Sequence, residues 1–269
     1  MKKSAFGNSK GSKLWFAVGL LLIVIAVWQL VGIVREYQQG RDTYESLETA
    51  VLTKTDEKKA DTEENQTEER EKEPYETVAI HFDALKKINE DVIGWIQFDY
   101  NGISYPLLQG DDNQTYLHKM ADGSAHKAGS IFMDVNCSPD LSDSHTIIYG
   151  HNMRDLSMFG KLKKYRNEEG YYEENKYFTI YTPEMIYRYE IFGWYQVPEI
   201  DPVYQLGFVA DDTFQEFVEQ MLARRDKDTG VTADKEDKIV TLSTCSTTGN
   251  RLVVHGKLIN TCPAVDVKN

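Results

Sequence analysis

The residues of this 269-residue chain best suited to chemistry are a cysteine, an arginine and one of six histidines. Ile239-Val-Thr-Leu-Ser-Thr-Cys245 is apolar and β-favouring, and it predicts a strand that ends at the thiol. Ser246 to Asn250 is a turn by composition, with Gly249 and Asn250 tolerating positive φ. Leu252 to Ile259 then resumes a strand. A hairpin of this length sets Cys245 at the end of one strand and Arg251 at the start of the next, within side-chain reach. A thiol beside a guanidinium can supply an attacking thiolate and a stabiliser of anionic oxygen. The same two residues also suit a small buried hydrophobe and a solvated surface charge, so spacing alone leaves both readings open.

A thiol used as a nucleophile is commonly paired with a proton carrier, and six histidines could serve. His81 falls on the first amphipathic segment, His118 and His126 in polar loop sequence, and His145 at the opening of a strand; these positions suit surface or structural roles. His255 lies mid-strand, on Arg251's face by alternation. His151 ends the apolar strand His145-Thr-Ile-Ile-Tyr-Gly-His151, behind a glycine that lets the backbone deliver a side chain to a barrel mouth.

The elements that must position these groups are mostly short strands. Val92 to Tyr100, Ile103 to Leu108, Gly129 to Asp134 and Tyr177 to Val197 have strand character, with Asn101-Gly102 and Thr182-Pro183-Glu184 as turns. Val78 to Asn89 has apolar residues at helical spacing, Asp111 to Lys119 reads as a loop with a helical turn, and Met158 to Tyr165 as another helical turn. Asp211 to Arg225 is a helix with Phe214, Phe217, Val218, Met221 and Leu222 on one face, and Thr213 with Glu216 as a capping box. Many short strands with few helices predict a mainly β fold, a closed β-barrel.

Leu14 to Val34 is a 21-residue apolar run, long enough to span a bilayer. Four lysines and no acid precede it, so the positive-inside bias places residues 1–13 in the cytoplasm and everything after Val34 outside. The run exceeds a cleavable h-region and no small-x-small site follows, which predicts an uncleaved transmembrane signal anchor at 14–34. Residues 35–74 come next as an acidic extracellular tether; Lys54 to Glu73 holds nine acids, five bases and no large apolar residue. The catalytic domain is then 75–269, and removal of Met1 to Glu73 is expected to leave it folded. The formal net charge is −13 and no basic stripe appears, so nucleic acid is not an expected partner. Cys137, Cys245 and Cys262 are too few and too scattered for a disulfide framework, and no cysteine or histidine set has zinc spacing. No metal and no cofactor is expected.

Thr241-Leu-Ser-Thr-Cys245 with Arg251-Leu-Val-Val-His255 resembles the catalytic strand pair of the sortases, membrane-anchored cysteine transpeptidases of Gram-positive bacteria. Tyr149-Gly-His-Asn-Met153 resembles their histidine segment. From about Val78 to Ile259, the stretches Asp112 to Leu117, Gly129 to Asp134 and the helix at 213–225 are similar to class B sortases. The resemblance implies a sortase-type barrel with N-terminal bracing helices and a helix before the catalytic strand. It implies His151, Cys245 and Arg251 as the catalytic set, and Asn113, Leu117, Tyr149, Ser243 and Thr244 as the lining of a peptide groove. The five-residue turn after Cys245 is shorter than in many class B members and bears on how the second substrate approaches. The Cys245 thiolate would attack a backbone carbonyl, His151 would protonate the leaving amine, and Arg251 would either stabilise the tetrahedral oxyanion or hold the peptide carbonyls in register. The implied donor is a surface protein's sorting signal resembling Asn-Pro-x-Thr-(Asn or Gly), and the implied acceptor is a peptidoglycan amine. Two rivals stand beside this: a membrane-anchored cysteine protease that only hydrolyses, and a non-catalytic wall-binding barrel with Cys245 as a buried thiol.

Overall fold

The computed structural model describes residues 10–54, 72–245 and 249–265. Residues 1–9, 55–71, 246–248 and 266–269 lie outside these, among them most of the expected cytoplasmic tail and the middle of the expected tether. The chain divides into two compact units, Met1–Glu45 and Ser46–Asn269. Helix α1, Lys10–Val51, makes up the described part of the first and enters the second. Its apolar stretch is long enough to cross a membrane, and the large side chains from Trp15 to Val34 are exposed. The helix continues past that stretch, through Gly40.

The second unit therefore begins inside α1. Leu47 and Val51 are buried, and β1 (Leu52–Lys54) pairs antiparallel with β2 (Val78–Ile80). Val78 to Ile80 is strand rather than the first turn of a helix, and α2 spans only Phe82–Ile88. The triplet's backbone groups find partners in β1, which helical periodicity cannot reveal.

Eight strands close the barrel: β3 (Val92–Phe98), β4 (Ser104–Leu108), β5 (Ile131–Met133), β6 (His145–His151), β7 (Tyr177–Tyr181), β8 (Met185–Pro198), β9 (Ile239–Cys245) and β10 (Asn250–Pro263). Their order around the barrel is β10-β8-β7-β3-β4-β5-β6-β9. Short helices α3 (Lys164–Asn167) and α4 (Tyr171–Glu174) lie between β6 and β7, and α5 (Asp212–Arg224) precedes β9. The N-cap of α5 is Asp211, whose carboxylate accepts the Phe214 N–H at 3.0 Å; Thr213 lies inside the first turn and so cannot cap it.

Alternation assigns the two faces of β9. Ile239, and Val253 on β10, pack with Phe214, Phe217, Val218 and Met221 of α5. Thr241, Ser243 and Cys245 share that outer face with Ile239, while Val240, Leu242 and Thr244 point the other way, into the barrel. Burying each large apolar side chain under α5 contributes about 1.5–3 kcal/mol, enough to fix the helix over one end of the face. The other end carries the reactive residues.

Candidate active site

Strands β6 and β9 run parallel, so their C-terminal ends reach the same rim of the barrel. The register pairs His151 with Cys245, and neighbouring strands lie about 4.8 Å apart. The Asn152 N–H donates to the Cys245 carbonyl at 3.2 Å and secures that last step of the ladder. Strand β10 runs antiparallel on the other side of β9, with Val253 paired to Ser243, and Arg251, two residues before Val253, lines the same cavity as Cys245 and acts on its thiol by charge. The thiol thus has an imidazole on one side and a guanidinium on the other. Gly150 makes room for this: a Cβ there would collide with the Ile131 side chain and stand 2.7 Å from the Phe159 ring.

The three side chains open into one cavity of about 550 Å³. Asn113, Leu117 and Tyr149 line it, together with His118, Glu199, Ile200 and Tyr204. Ser243 and Thr244 do not. Both are fully buried and their hydroxyls are spent internally: Ser243 bonds the Tyr204 hydroxyl at 2.9 Å, and Thr244 accepts the Leu252 N–H at 2.9 Å. Thr244 is excluded by alternation, since it points into the barrel, and Ser243 is covered by Tyr204.

Behind the lining stands a polar brace. Asp134 is buried and accepts from Asn113 Nδ2 and from the Tyr149 hydroxyl, each at 2.9 Å. Asn113 in turn accepts the Val135 N–H at 2.9 Å. This holds the 113–117 turn against β6 and sets the Leu117 carbonyl 2.7 Å from His151 Nε2. A carbonyl only accepts, so Nε2 carries the proton and Nδ1 keeps a lone pair. Burial lowers the His151 pKa, and the neighbouring His118, ring centroids 6.4 Å apart, pushes the same way; the Leu117 carbonyl opposes them. Burial pushes the Cys245 thiol up to about 11 although Arg251 pulls it down. The resting pair is therefore a thiol beside a neutral imidazole.

His255 and His145 sit on the same outer face but beneath α5. Both are buried, and the Thr241 hydroxyl bridges them, 2.7 Å from His145 Nε2 and 3.0 Å from His255 Nδ1. Burial holds both pKa values down, that of His145 to about 4, so they are structural polar groups. Arg251 differs from them by lying past the edge of the helix cover. Its Nη2 donates to Glu199 at 2.6 Å, and its guanidinium lies 5.8 Å from the Tyr204 ring centroid. Tyr204, Ile200 and Glu199 belong to the segment between β8 and α5, which sequence reasoning passed over. Its visible signal was Ile200 and Tyr204 among turn-forming residues.

Residues 96–259 match the Sortase domain family. Sortase B of Listeria monocytogenes is 34% identical over 179 residues, covering 65% of this chain and 72% of that protein. A crystal structure of sortase B from Bacillus anthracis matches with a TM-score of 0.69 at 31% identity, covering 84% of this chain and 99% of that one. A Staphylococcus aureus sortase B–substrate complex matches with a TM-score of 0.63 at 32% identity, covering 66% and 84%. The chain belongs to the sortase family. Its relatives place it with the class B enzymes, cysteine transpeptidases that anchor surface proteins to the cell wall. The family works at the cell surface on sorting-signal substrates and amine acceptors.

Proposed function

We propose that Cys245 is the nucleophile, His151 the proton carrier and Arg251 the oxyanion holder of this transpeptidase. The observation that supports it is the strand register that sets the thiol between the other two groups at an open rim. As the Cys245 sulfur attacks the scissile carbonyl, its proton passes to His151 Nδ1, and the carbonyl oxygen takes the negative charge beside Arg251. The C–N bond then breaks and the imidazolium gives its proton to the departing amine, leaving a thioester. An acceptor amine attacks the thioester, yields a proton to the imidazole, and releases the thiol as the new amide forms.

The donor is a sorting signal resembling Asn-Pro-x-Thr-(Asn or Gly), and the acceptor is a peptidoglycan amine. Asn113, Leu117 and Tyr149 line the groove for the peptide. Residues 14–34 are an uncleaved signal anchor, with residues 1–13 in the cytoplasm and the barrel outside. Mass spectrometry of purified enzyme with a sorting-motif peptide tests the reading. A thioacyl adduct on Cys245 that disappears when a glycine-type amine is added, with appearance of the joined product, is expected. Hydrolysed peptide alone, even with amine present, would point to a protease.

A further inference from the structure

Arg251 is already occupied. Glu199 follows β8, and its backbone N–H donates to the Gly249 carbonyl at 3.1 Å, which fixes it beside the turn of the catalytic hairpin. Its side chain is 65% exposed and reaches back over the rim to Arg251 Nη2. The other carboxylate on this rim, Asp201, is differently placed. It is held by two hydrogen bonds from Arg224, at 2.8 and 2.9 Å, and accepts the Val203 N–H at 3.0 Å. Nothing of that kind restrains the Glu199 side chain among the described residues. A carboxylate with a pinned backbone, whose side chain is held by this one ion pair, can leave its partner without disturbing the loop.

We infer that Glu199 is a displaceable counter-ion of Arg251: it occupies the guanidinium in the peptide-free enzyme and yields it to the peptide during acylation. This rests on the proposed role of Arg251. The exchange has a consequence for the thiol. The Arg251 charge lowers the Cys245 pKa and the Glu199 charge raises it. A neutral peptide carbonyl in place of the carboxylate leaves the arginine's charge uncompensated beside the sulfur, so substrate binding itself favours the thiolate. The other titratable groups facing the pair are His151 and Tyr149 from β6, His118 from the 113–118 turn, and Tyr204 and Asp201 from the segment after β8. Glu199 acts through Arg251 and is a positioning residue.

Glu199→Gln and Glu199→Asp in the full-length protein test it, with two readouts. One is the rate of Cys245 alkylation by iodoacetamide against pH, located by peptide mapping. The other is KM for a sorting-motif peptide. A solvent-exposed ion pair is weak, so Gln should lower KM by only about two- to fivefold. It should also move the alkylation midpoint to lower pH, and Asp, which keeps the charge, should restore both toward wild type. An unchanged midpoint, or a KM that rises in the Gln form, would overturn the counter-ion role. Failure of wild-type enzyme to form a thioacyl adduct on Cys245 would instead overturn the site assignment, and the counter-ion with it.

Discussion

Raising the pH from 7 toward 11 should speed alkylation of Cys245 nearly tenfold per unit. Burial dominates its surroundings and holds the thiol at about 11, with Arg251 recovering only part of the shift. At pH 7 such a thiol is about 0.01% thiolate, against about 3% for an ordinary one near 8.5. Iodoacetamide consumes the thiolate, so Cys245 should label roughly two orders of magnitude more slowly than an unhindered thiol at neutrality. Peptide mapping separates it from Cys137, which burial pushes up to about 12, and from partly exposed Cys262. Arg251→Gln removes the positive charge beside the sulfur and should move the curve to still higher pH. His151 should remain neutral across this range, because its pKa is lowered and the proton it binds is lost at more acidic pH. A rate that levels off below about pH 8 would refute the reasoning: the resting site would then hold a thiolate–imidazolium pair, and burial would not be the controlling effect.

Three further outcomes are expected. Arg251→Lys keeps the charge and loses the planar fork, and should cost turnover about two orders of magnitude with an unchanged melt, as loss of one oxyanion donor does; steady-state transpeptidation measures it, and near-wild-type turnover would remove the oxyanion role. Gly150→Ala forces a Cβ against Ile131 and the Phe159 ring and should destabilise by about 1–3 kcal/mol in chemical denaturation, with a larger fractional loss of activity because the displaced residue adjoins His151. A chain starting at Ser46 should melt higher than one starting at Pro74, because Leu47, Val51 and β1 pack on the second unit; at about 1.5–3 kcal/mol for each buried apolar side chain, the gap should be on the order of 10 °C. Equal melts would return the boundary to residue 75.

What the sequence disclosed tracks how local each feature is. The hairpin from Ile239 to Ile259 announced itself through β-favouring runs on either side of a turn, and Gly249 does take positive φ, +81°. His151 was visible because an apolar strand ends there behind a glycine. The pairing of β1 with β2 was not, since two three-residue strands far apart carry no periodicity of their own. Thr244 could have been excluded from the groove by alternation alone, because neighbours along a strand point to opposite faces.

Ser243 is the more instructive case. It shares the outer face with Thr241 and Cys245, and nothing in the pattern of β9 separates the three. What separates them is cover supplied by other parts of the chain: α5 with Phe208 and Phe217 over His145, which bonds Thr241; Tyr204 over Ser243; and the open cavity at Cys245. The face therefore grades from buried histidines to a reachable thiol, although Thr241, Ser243 and Cys245 follow one another along it with nothing in their types to mark the change. Reactivity at Cys245 depends on where that cover ends, and the end is set by the segment between β8 and α5. That segment has no repeat to betray it, yet it carries Glu199 and Tyr204, which both meet Arg251. Substitutions there should therefore alter catalysis while leaving the barrel intact.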